Sequence, residues 1–261
     1  MDIFDSGFRL LLIVVALVAW KLVFFPSTTL LASRINAFLW LAFIFACAIA
    51  IDFVLAKWSS PSVRGDASEV NFYLIFAVGW ISIAQAVFAL LGISVRDDVA
   101  ERRNAAAGFA CVGWTIAATC CVAGANIGDG PGFGVVLFCA ALATAILCAL
   151  WFLVAAVSGV VETITIERDD GSGIRCGGWL AGTGITAGAC VAGDWISLSA
   201  TVRDFAKYFW PLVIVAGIFA KIERSLCRRP FVERLGRSAS VGIASLLVIL
   251  GGWYANWIGR H

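Results

Sequence analysis

Apolar residues run along this chain in long blocks, and polar residues collect in short islands between them. The blocks fall at 8–25, 37–56, 72–94, 104–126, 133–161, 174–195, 208–221 and 239–258. They are apolar all round, whereas a surface helix of a soluble protein shows a polar face every 3.6 residues. At 1.5 Å rise per residue, about 20 residues of helix cross a hydrocarbon core about 30 Å thick. The pattern therefore predicts an all-α, polytopic integral membrane protein with about eight transmembrane helices. Lys207 and Pro211 leave the start of the short seventh block open, and the fifth is long enough to tilt or extend into the interface.

Composition agrees with lipid as the solvent. Of 261 residues, 61% are apolar and 14% charged, where a soluble domain keeps about a quarter charged. A net charge of +2 without a basic, aromatic-interleaved stripe gives no reason to expect nucleic acid. Asp2 and Asp5 precede the first block, and no small-residue cleavage site follows it, so a retained helix is expected rather than a removed signal. Eight of the nine cysteines lie in or at the edge of apolar blocks, and Cys227 lies in a basic loop. With no C-x-x-C pair and His261 the only histidine, these cysteines read as packing, and neither metal nor cofactor is expected.

Lys and Arg set the orientation. Alternate loops hold twelve of them, half between Lys221 and Arg237, against six on the other side counting both termini. The positive-inside rule puts the twelve in the cytoplasm and both termini outside. Trp20 and Trp40 fall near the inner ends of blocks, and Trp58, Trp195, Trp210 and Trp257 near the outer ends, as an interfacial belt requires. Trp80, Trp114, Trp151 and Trp179 lie deeper and are expected to face other helices.

The chain also repeats. Gly113-Trp114 to Gly128-Asp129 recurs as Gly178-Trp179 to Gly193-Asp194, displaced by 65 positions. Glu101-Arg102, Glu167-Arg168 and Glu233-Arg234 follow at steps of 66, and Ser33 to Ala37 matches Glu101 to Ala105 at 68. A unit with an even number of spans repeats in the same orientation. The expectation is one transmembrane domain, 1–261, of four parallel two-helix units near 1–70, 71–130, 131–200 and 201–261.

The stretch from Asp97 to Ala125, DDVAERRNAAAGFACVGWTIAATCCVAGA, resembles the DUF350 (UPF0719) family of bacterial inner-membrane proteins. Asn104, Ala105, Ala106, Gly113 and Gly124 carry the likeness: a charged segment, an Asn-Ala opening, then a small-residue helix with a central glycine. It covers residues 72–195 best; the second copy has Asp170-Gly171 where Asn-Ala is expected. The resemblance implies a bacterial inner membrane and a paired-helix fold, and it brings no activity or catalytic residue.

Few side chains suggest chemistry. Gly178-x-x-x-Gly182 and Gly184-x-x-x-Gly188 let helix backbones approach closely. Ionisable groups in a span cost about 2.5–3.5 kcal/mol at its centre, which singles out Asp52, beside water or Lys57; Lys21 lies near a span end and can snorkel. Gln85 is the deepest strongly polar side chain. Asp129 and Asp194, equivalent in the repeat, are candidates for a cation mouth, and Lys207 is a candidate partner of Asp194 or Asp204. Arg224, Arg228, Arg229 and Arg234 are candidate contacts for anionic lipid. No internal histidine, H-E-x-x-H or P-loop is present. The sequence thus favours a non-enzymatic scaffold or accessory subunit, packing through glycine-rich faces against itself or another membrane protein. The alternative is a small ion or solute channel or transporter.

Overall fold

In the computed structural model the described residues are 31–260, with Val14, Val18 and Lys21. Apart from those three helical positions, the predicted first span lies outside the described residues. The rest is all-α. In chain order come α1 (Leu31–Trp58), the short α2 (Pro61–Arg64), α3 (Ala67–Leu90), a π-helical segment (Val95–Glu101), α4 (Ala105–Ala125), α5 (Phe133–Ser158), α6 (Val160–Thr165), α7 (Asp170–Val191), α8 (Leu198–Cys227), a 3₁₀ turn (Phe231–Glu233) and α9 (Arg237–Ile258).

Local chemistry sets these boundaries. Asp66, Asn104, Asp169 and Ser197 cap α3, α4, α7 and α8, each side-chain oxygen accepting an amide of the first turn. α5 stops at Gly159, whose φ of +72° suits a left-handed helix end. α8 runs through Pro211 and is therefore longer than the predicted 208–221. Proline removes one amide donor, and the Tyr254 hydroxyl of α9 donates to Tyr208 O nearby (2.8 Å).

Six helices among the described residues, α1, α3, α4, α5, α8 and α9, are long and apolar enough to cross a membrane. α7, predicted as the sixth of eight spans, is as long at 22 residues but is not among them. Its seven glycines add little apolar surface, and protein rather than lipid surrounds it.

Two layers form. α4, α7 and α9 lie side by side and run the same way: Gly113 meets Gly177, Gly124 meets Gly188, Gly178 meets Ala244 and Gly182 meets Gly251. α3 packs on α4, α8 on α7, α5 on α4, α7 and α8, and α1 on α3 and α4. Aromatic stacking joins the layers, with Phe88 on Trp114 (centroids 4.5 Å apart) and Trp179 on Phe219 (5.2 Å). Trp114, Trp151 and Trp179 are buried as expected, but Trp40, placed by sequence in the interfacial belt, is buried too.

The entries to α4 and α7 share a local geometry. Arg103 (φ +54°) precedes the cap Asn104, and Arg168 (φ +58°) precedes the cap Asp169. Each cap amide donates six residues back, to Asp98 O (2.9 Å) and Thr163 O (3.1 Å). Asp169, not Asp170, thus stands where Asn104 does.

Candidate functional site

α7 is the centre of the molecule, and its glycines face two ways. A Cβ on Gly184 or Gly188 would overlap α4 at Ala117 or Cys120, and one on Gly178 or Gly182 would meet α9 at Ala244 or Leu247 at 2.5 Å. All four predicted packing glycines are therefore used within the chain. Backbone contact of this kind gives dispersion attraction that larger side chains would prevent.

Asp129 and Asp194 come together at the end opposite the arginine-rich loops. The Asp129 amide donates to Asp194 Oδ1 (2.8 Å), and the Trp195 amide to Asp129 O (2.7 Å). Two left-handed glycines shape the turns: Gly128 (φ +103°) donates to Trp58 O and Gly193 (φ +126°) to Ile127 O, each at 3.0 Å. A cavity of about 380 Å³ opens beside them, lined by four carboxylates (Glu69, Asp129, Asp194, Asp204) and by no Lys or Arg. Lys207 is directed elsewhere: its Nζ donates to Tyr208 Oη (2.9 Å) and lies 4.5 Å from that ring. Asp52 is exposed on α1, apart from this cavity.

Gln85 is buried between α3 and α4. Its Nε2 donates to Cys111 O (3.2 Å) and to Thr115 Oγ1, while among the described residues its Oε1 has no hydrogen-bond partner. It thus bridges helices, as a polar side chain in lipid does.

The strongest buried electrostatics involve residues that the sequence did not single out. Arg175 on α7 and Glu223 on α8 are both 0% exposed and pair through two bonds, Nε to Oε1 (2.6 Å) and Nη2 to Oε2 (2.9 Å). Nη1 donates to Ser240 Oγ (2.8 Å) and Nη2 to Ser172 Oγ (2.9 Å). Ser172 in turn donates to the cap Asp169 (3.0 Å), so one network joins α7, α8 and α9. Arg175 falls inside the predicted 174–195 block, although it is one of the twelve cations assigned to the cytoplasmic loops. That placement was the available signal.

The arginine-rich segments share one end of the molecule, where Asn104 Nδ2 donates to Ile164 O (2.8 Å) and Arg237 pairs with Asp170. Arg224, Arg228 and Arg229 are exposed there. Arg234 is not free for lipid: it pairs with Glu167, lies 3.7 Å from Asp169, and donates to Arg229 O and Cys227 O. The bonded Glu167 carboxylate holds the Arg234 guanidinium above its ordinary pKa.

Among the described residues no group of three or more His, Cys, Asp or Glu could hold a metal ion. Comparison with protein-family models, with curated proteins and with solved structures finds no match to this chain.

Proposed function

We propose that the protein is a non-enzymatic integral membrane scaffold or accessory subunit that binds another membrane helix along α9. The carrying observation is the outer seam of that helix. Gly242, Ser245, Ile249, Gly252 and Asn256 follow one another at alternating steps of three and four residues, the spacing by which one helix meets another. Among the described residues a Cβ on Gly242 or Gly252 would meet nothing within 4 Å, and Ser245 and Asn256 are exposed. Small and hydrogen-bonding residues facing outward in lipid are the usual surface for helix association. The glycines of α7, by contrast, are already occupied.

The wider reading is a bacterial inner-membrane protein with eight spans in four parallel two-helix units, its arginine-rich end in the cytoplasm and both termini in the periplasm. The parallel row of α4, α7 and α9 and the matching entries at Arg103 and Arg168 support the units. The likeness to DUF350 proteins supports the location. The partner is a second copy or another membrane subunit.

Native mass spectrometry of gently extracted complexes tests the reading. The wild type is expected in fixed stoichiometry with a partner or itself, and Gly242→Leu/Gly252→Leu to be monomeric yet folded. A monodisperse wild-type monomer, both in mild detergent and in nanodiscs, would overturn it. The acidic cavity favours a second reading, a cation channel or transporter. That reading expects cation flux into liposomes to fall several-fold in Asp194→Asn and Asp129→Asn, and unchanged flux removes it.

A further inference from the structure

We propose that an anionic glycerophospholipid of the leaflet at the arginine-rich end binds in the groove between α1 and α4, its phosphate on Arg103. The groove encloses about 570 Å³, with apolar walls from Leu39, Trp40, Phe43, Phe109 and Val112. Its floor is Gly108, where an added Cβ would meet, among the described residues, only Val99 Cγ1 at 3.6 Å, so this glycine is not held to a neighbouring backbone as Gly113 and Gly124 are. From Ala105 to Val112 the groove follows α4 for about 12 Å, along which an acyl chain can lie.

Charge identifies the occupant. Of the three arginines in the segment before α4, Arg102 pairs with Asp98 (3.0 Å) and Arg96 lies 3.9–4.0 Å from Asp97 and Glu101. Among the described residues Arg103 has no carboxylate within 4 Å; it is exposed and stands at the groove's mouth, with no acidic residue in the lining. One unpaired cation above an apolar trough complements a lipid with a negative headgroup and a hydrocarbon tail. A free phosphate would leave the trough unfilled, and a zwitterionic lipid would set its ammonium near the guanidinium.

The test is a lipid titration of the delipidated full-length protein in detergent, read by native mass spectrometry. Dioleoyl phosphatidylglycerol is expected to bind one site in preference to dioleoyl phosphatidylcholine. Arg103→Gln is expected to weaken that site about fivefold, the effect of one basic residue near a membrane surface. Gly108→Leu is expected to abolish it by filling the groove, and Arg203→Gln, exposed at the aspartate end, to leave it unchanged. Equal binding of the two lipids, wild-type affinity in Arg103→Gln, or displacement by inorganic phosphate would each overturn the proposal; Arg103→Gln decides it even if Gly108→Leu fails to fold.

Discussion

Arg175 and Glu223 show how one side-chain pair can hold three helices together in a low-dielectric interior. Four hydrogen bonds engage all three nitrogens of the guanidinium, and both partners are wholly removed from solvent. Removing one partner leaves the other buried and uncompensated, which costs about 3–5 kcal/mol, whereas apolar replacement of both can be nearly neutral. Glu223→Ala should therefore lower stability by about that amount, and Arg175→Met/Glu223→Leu should recover most of it; denaturant titration in detergent reads both. Sequence could not find this pair because its members lie 48 positions apart and nothing local links them. Asp129 and Asp194 were findable, because the displacement of 65 that makes them equivalent also sets their turns side by side.

At the scale of elements, α7 was legible as a packing helix from its glycines, but its two neighbours were not. Periodicity places Gly178 and Gly182 on one face and Gly184 and Gly188 on another; only the tertiary structure assigns α9 to the first and α4 to the second. This arrangement separates two classes of glycine. Gly188→Ala should push α7 from α4 and cost about 1–3 kcal/mol, as overpacking does. Gly242→Ala, in open space, should raise stability by up to about 1 kcal/mol through helix propensity. Melting of the two variants in the same detergent distinguishes them by sign. The sequence shows too short an α8 for a related reason: Pro211 and Lys207 break an apolar run without ending the helix that contains them.

For the whole molecule, the hydropathy pattern conveyed the class of fold well, since lipid imposes it on every outward face. It marks α7 less clearly than the other helices, because α7 meets protein on its sides and so is not required to be apolar. The row of α4, α7 and α9 runs from the arginine-rich end to the aspartate end, which makes sidedness testable at two points. Alkaline phosphatase, active only outside the cytoplasm, should be active when fused after Pro131 and inactive when fused after Leu235. The reverse result would invert the protein in its membrane.

The ion pair between α7 and α8 also bears on how the chain enters the bilayer. A solitary α7 is a poor candidate for lateral release into lipid, because its seven glycines add little apolar surface and Arg175, in its second turn, would lack a partner. Glu223 arrives only with the far end of α8, so the pair predicts that α7 settles against α4 only once its neutralising partner has been synthesised. A chain truncated after Trp195 should leave α7 open to protease in isolated membranes, and one extended to Arg229 should protect it.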